Sequence, residues 1–185
     1  MCHNELRRSS QFFPVAGGGG RFCLFRAGFS GTCMSASELL DQYRLQACSP
    51  QWRGFVLAMA AEFAEALPEA DVARLMARIG ERFARAHALP PVQSLAELED
   101  AANAVWSCLS WGVVRLHEHS TEVVVEHVAA PLTAVLAQHG GWNLSFLEGV
   151  YRVWFREAGM LPSLDLEPMP DRSADVSRYV LRRVN

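Results

Sequence analysis

Hydrophobic positions recur with helical spacing through the middle of the chain. Over 51–67, Trp52, Phe55, Val56, Met59 and Phe63 fall at i, i+3, i+4, i+7 and i+11, one face of an α-helix. Pro68 ends that helix, and over 69–87 the spacing is repeated by Val72, Leu75, Met76, Ile79 and Phe83. Two consecutive helices with matching stripes, joined at a proline, predict an antiparallel helical pair. Pro90-Pro91 forces a loop. Ser94-Leu95-Ala96-Glu97 then has the S-x-x-E spacing of a capping box and opens a helix with Leu98, Ala102, Val105 and Leu109 inward. An earlier box, Ser35-Ala36-Ser37-Glu38, opens a short helix over 35–47 that stops before Ser49-Pro50.

At Gly112 the period changes from helix to strand. Residues 112–118 and 121–128 predict a hairpin turned at His119-Ser120. Pairing Glu118 with Thr121 puts Val114, Leu116, Val123 and Val125 on one face and Arg115, His117, Glu122 and Glu126 on the other. Residues 131–141 read equally as a short helix or a loop ending at Gly140-Gly141. A third box, Ser145-Phe146-Leu147-Glu148, starts a long helix to about residue 158, with Gly159 where a C′ glycine belongs. Residues 161–175, with Pro162, Pro168 and Pro170, predict an extended connector, and 177–184 a last strand joining the hairpin's sheet. The expected class is α+β: N-terminal helices packed on a small antiparallel sheet (hairpin plus C-terminal strand), with one long helix between them.

Composition narrows the function. With 185 residues, 50% of them hydrophobic, the chain can bury one ordinary core. All seventeen basic residues are arginine, and lysine is absent. That excludes a Walker A loop, whose lysine must reach the phosphates, and Schiff-base or pyridoxal-phosphate chemistry, which needs an amine. A net charge of −3 argues against nucleic acid as partner. No apolar run approaches the roughly 18 residues of a membrane helix. Arg7-Arg8 suggests twin-arginine export, but Pro14, Gly17 to Gly20, Arg21 and Arg26 break every candidate h-region. Five cysteines, an odd number, fit a reducing compartment better than a disulfide scaffold. Residues 1–33 hold three of them and no hydrophobic period, so we expect a disordered or over-extended N-terminus, with one domain over 34–185.

Each polar cluster has a bland alternative. Cys2, His3, Cys23 and Cys33 lack C-x-x-C spacing, and His117 and His127 sit roughly 16 Å apart at strand rise. We therefore expect surface and turn histidines and no metal. Arg74, Arg78, Arg82 and Arg85 line one side of a helix, either a site for an anionic partner or a solvated face paired with carboxylates. Gly17 to Gly20 lack the strand and capped helix of a phosphate cradle, and no G-x-S-x-G occurs, so no enzyme activity and no cofactor are expected. In the helix from Phe146, Glu148, Arg152 and Arg156 form one polar stripe, while Leu147, Val150, Tyr151, Val153, Trp154 and Phe155 cover much of the rest. That circumference suits either a wholly covered core helix or an oligomer interface through Leu147, Val150, Tyr151, Trp154 and Phe155.

At Leu109-Ser110-Trp111-Gly112-Val113-Val114-Arg115-Leu116 and Phe146-Leu147-Glu148-Gly149-Val150-Tyr151-Arg152-Val153-Trp154-Phe155 the chain resembles the D-subunit family of the bacterial cellulose synthase operon (cellulose biosynthesis protein D). The resemblance extends more loosely from about Ser49 to the C-terminus and fails before Met34. It implies a non-catalytic homo-oligomeric ring, an octamer built from dimers, that works with the other cellulose synthase components and organises nascent glucan chains for export and crystallisation. It also implies that Tyr43, Arg44, Gln46 and Trp52, aromatics and planar polar groups suited to sugar rings, face the glucan; the alternative is a helix end packed on the core. Lacking an export signal, the chain is expected on the cytoplasmic side of the inner membrane rather than in the periplasm. A rival from another class is a small-molecule-binding or sensory domain, with Trp106, Trp111, Trp142, Trp154 and Phe155 lining an apolar pocket.

Overall fold

The computed structural model describes residues 46, 48–136, 142–169 and 175–183. The segment 1–33 and, apart from Gln46, the expected helix over 35–47 lie outside the described residues. The described elements run α1 (Pro50–Ala66), α2 (Glu69–Ala86), α3 (Leu95–Leu109), β1 (Val113–Glu118), β2 (Val123–Val128), α4 (Pro131–Leu136), α5 (Trp142–Glu157), β3 (Leu164–Met169) and β4 (Val176–Arg183). Pro50 sits in the first turn of α1, where its missing N–H costs nothing. At α3 the Ser94 half of the expected capping box forms, Ser94 Oγ accepting from the Glu97 amide at 3.2 Å, while Glu97 Oε2 reaches one residue further back and accepts from the Gln93 amide at 2.8 Å. α5 departs from expectation by starting at Trp142, so Ser145 lies inside the helix and the Gly140-Gly141 pair precedes its start.

The sheet is antiparallel throughout, in the order β1-β2-β4-β3. The hairpin faces are as expected, but the pairing is shifted by two residues: Glu118 pairs with Val123 and Leu116 with Val125. The connection is therefore four residues long, closed by the His119 amide donating to the Glu122 carbonyl at 2.9 Å. A two-residue slip preserves the faces, which is why alternation alone could not detect it. The stretch expected to be a connector contains β3, paired along its length with β4. Leu164 and Leu166 alternate there with Asp165 and Glu167, and Pro168 is tolerated because β3 is an edge strand.

α5 lies between the sheet and α2. On one side Tyr179 of β4 donates its hydroxyl to the Leu144 carbonyl at 2.8 Å. On the other, α2 and α5 approach backbone to backbone: a Cβ at Gly80 would stand 2.0 Å from the Phe146 carbonyl oxygen, and one at Gly149 2.0 Å from that of Ala77. Only glycine permits such an approach on both helices. This contact replaces the expected α1–α2 pair, for α2 spends its buried residues Val72, Met76, Gly80 and Ala84 on α5 and barely touches α1. At the end of α3, Ser110 turns left-handed and the Trp111 amide donates to the Trp106 carbonyl at 2.9 Å, delivering the chain to β1.

Candidate functional site

α1 is the least covered helix described. Of its seventeen residues only Ala60 is buried. Val56, Leu57 and Phe63 touch the core from one side, while Trp52 and Phe55 stand 57% and 60% exposed. Their rings meet edge to face at a centroid distance of 6.2 Å. The stripe expected to pack inward is thus split between a docked edge and an aromatic pair in solvent. Of the glucan-facing candidates, Trp52 and Gln46 are exposed, and Tyr43 and Arg44 lie outside the described residues.

The long helix presents the opposite case. Leu147, Val150, Tyr151, Trp154 and Phe155 are at most 5% exposed, enclosed by α2, α3 and the sheet. The circumference read as a possible oligomer interface is core of its own domain, because the chain supplies a helix on one side and strands on the other. Trp106 is fully buried and its ring centroid lies 5.1 Å from that of Trp154, 5.7 Å from Phe83 and 5.8 Å from Trp111. Between Trp154, Phe155, Tyr151 and β1 the cavity measures only about 10 Å³, about room for one water. The aromatic set that could have lined an internal pocket therefore fills it with rings, the Trp142 side chain lying outside the described residues. A further hollow is a surface cleft of about 290 Å³ among Val92, Leu95, Phe155, Met160, Leu164 and Leu181.

One buried polar group was missed from sequence. His127 was grouped with surface histidines, but the alternation that turns Val123 and Val125 inward turns it inward too, and it is fully buried. Its Nε2 lies 2.7 Å from the Trp111 carbonyl, which can only accept, so Nε2 carries the proton. Nδ1 is then the acceptor for the Tyr151 hydroxyl at 2.5 Å. Burial pushes the imidazole down to about 4, opposed by the Trp111 carbonyl, so the ring is neutral near pH 7. Burial likewise raises the Tyr151 and Tyr179 hydroxyls, so both remain protonated donors. The polar stripe of α5 is a lock on β3: Arg152 reaches Glu148 at 2.7 Å, Asp165 at 2.9 Å and the Leu166 carbonyl at 3.0 Å.

On both edge strands several outward backbone groups are taken by the chain itself. On β1 the Asn103 amide accepts from the Val114 N–H and donates to the Val114 carbonyl, each at 2.8 Å, imitating a neighbouring strand. Glu99 takes the Leu116 amide at 2.5 Å. On β3 the Leu166 carbonyl is held by Arg152, the Leu164 amide by the Leu161 carbonyl at 3.0 Å, and Pro168 has no N–H. On α2, Arg74 pairs with Asp71 and Arg85 with Glu81 at 3.0 Å, whereas Arg78 and Arg82 have no carboxylate partner among the described residues. Among these residues no three His, Cys, Asp or Glu side chains gather as a metal site, and no helix is long and apolar enough to cross a membrane.

No curated protein matches the chain. A solved structure similar to it is trafficking protein particle complex subunit 3 from Naegleria fowleri, covalently bound to palmitic acid, at 12% identity and a TM-score of 0.45, covering 78% of this chain and 96% of that one. The family of the cellulose synthase D-subunit matches residues 39–182, which take in every element above except the last residue of β4. By that match, the chain belongs to the cellulose synthase D-subunit family.

Proposed function

We propose that this chain is a non-catalytic structural component of a bacterial cellulose synthesis and secretion complex. It works as a symmetric homo-oligomeric ring, an octamer built from dimers, on the cytoplasmic side of the inner membrane, and orders nascent glucan chains for export and crystallisation. The observation that carries the cellulose assignment is the family match over 39–182. The physical reading agrees with a scaffold: the core is filled with aromatic rings, and its buried histidine is held neutral as a structural group. Assembly is supported by α1, whose Trp52 and Phe55 face solvent, while both edge strands are partly occupied by bonds within the chain, which favours side-chain surfaces for contact between copies. Tyr43, Arg44, Gln46 and Trp52 are the residues proposed to meet glucan, on the strength of exposure at Gln46 and Trp52. Removing the chain from a cellulose-producing cell tests the reading. Cellulose of reduced yield or crystallinity, restored by the wild-type chain, is expected; unchanged cellulose would overturn it.

A further inference from the structure

The most conspicuous unpartnered features are an aromatic knob and an apolar hole. The knob is Phe55, 60% exposed and in edge-to-face contact with Trp52, on a helix that the other described residues scarcely cover. Leaving such a ring in water forgoes much of the favourable burial of an apolar side chain. The hole is the cleft of about 290 Å³, walled by Val92, Leu95, Phe155, Met160, Leu164 and Leu181, with Gln93 and Ser94 as its polar lining residues. A second cleft of about 180 Å³ adjoins it, and Ala158 lines both.

Chemistry selects the occupant. A glucan needs polar partners along its hydroxyl edges, and this mainly apolar wall offers only two polar side chains, Gln93 and Ser94. The volume lies at or below the roughly 300–1,000 Å³ of small-molecule sites. One large side chain from another protein suits it better. Charge adds a second match. Glu62 lies seven residues beyond Phe55, two helical turns or about 10 Å along the same face of α1. It is exposed and has no ion-pair partner among the described residues. Arg183 pairs in register with Leu164 and follows Leu181 by two, so it shares the sheet face that floors the cleft. It too is exposed without a carboxylate partner among the described residues.

We infer that α1 docks on a second copy of this chain, Phe55 entering the cleft beside Ala158 and Glu62 meeting Arg183. Trp52 stays at the rim. Knob and hole are different surfaces, and every copy offers both; in a head-to-tail arrangement, repetition closes a ring when the rotation allows. The inference rests on the homo-oligomer reading above and supplies its contact.

Light scattering of the full chain and its variants tests it. Phe55→Glu removes the knob and Ala158→Trp fills the hole, both at exposed positions; wild-type-like near-UV circular dichroism confirms that each variant folds, since loss of assembly by itself lowers the melting temperature. Each alone is expected to run below the wild-type mass. An equimolar mixture is expected to gain mass over either variant alone, the intact α1 of the Ala158→Trp chain entering the intact cleft of the Phe55→Glu chain. Glu62→Arg and Arg183→Glu should each raise the dissociation midpoint about tenfold, and the double swap should restore it. If the wild type is itself a monomer, the homo-oligomer reading fails and this contact with it. If the wild type is oligomeric and either Phe55→Glu or Ala158→Trp keeps its mass, or the mixture gains no mass over either variant alone, the docking inference alone is overturned.

Discussion

Acid should unfold this domain through His127. In the unfolded chain a histidine titrates near 6.5, whereas in the fold burial holds this ring at about 4. Because the folded-state value is lowered, the native state refuses a proton that the unfolded chain accepts. The stability this confers is whole above pH 6.5 and is lost as pH falls through the window down to about 4. At about 1.4 kcal/mol per unit, the full loss is roughly 3 kcal/mol, a large part of the 5–15 kcal/mol or so that holds an ordinary domain together. Protonation has no good outcome inside: Nδ1–H would point at a hydroxyl that must then turn away from it. Urea titrations followed by tryptophan fluorescence, at half-unit steps from pH 7.5 to 4.5, give the slope. His127→Gln cannot titrate, so its curve should be the flatter by about that amount, although it starts lower at pH 7.5 from imperfect hydrogen bonds to Trp111 and Tyr151. The Glu148 carboxyl is pushed up by burial against the pull of Arg152, so it works in the opposite direction and is common to both proteins. Parallel loss of stability in wild type and His127→Gln would refute the reasoning.

Three further perturbations probe separate parts of the fold. Gly149→Ala places a methyl 2.0 Å from the Ala77 carbonyl oxygen, so α2 and α5 must separate; a loss of about 1–3 kcal/mol or more is expected in chemical denaturation. A variant as stable as wild type would mean the helices are not in backbone contact. Tyr151→Arg or Trp154→Arg buries a charge at positions at most 2% exposed and should abolish folding, seen as loss of near-UV circular dichroism rather than as a folded monomer. Asn103→Ala unpairs both outward backbone groups of Val114, costing about 1–3 kcal/mol, and opens a strand edge. Its aggregation rate at fixed native fraction should rise, and a rate equal to wild type would show that the edge was never protected by Asn103.

What the sequence revealed depended on whether one chain segment or two decided the outcome. The Ser94 cap, the hairpin faces and the last strand are local, and they appear as read. The α2–α5 contact is not local: Gly80 and Gly149 are ordinary glycines within helices until the two backbones meet, so the stripe on α2 looked equally suited to α1. β3 was hidden by its prolines, although Leu164 and Leu166 kept strand alternation; Pro168 is harmless only because β3 lies at the sheet's edge, a fact of topology. The wide apolar surface of α5 was visible, but whether its cover comes from the same chain or another is decided by the α2 contact and the sheet floor. His127 was legible in principle, since the register that buries Val125 buries the residue two positions on. The exposure of Phe55 and the cleft around Met160 had no signal, because each is a gap left by packing elsewhere.

The central claim is assembly, and the mass of the purified full chain in solution tests it most directly, by light scattering behind a sizing column across a hundredfold dilution. The account predicts one species of several protomers whose mass holds on dilution. A 20.5 kDa monomer at every concentration would contradict it and leave Phe55 and the cleft without the partner they imply.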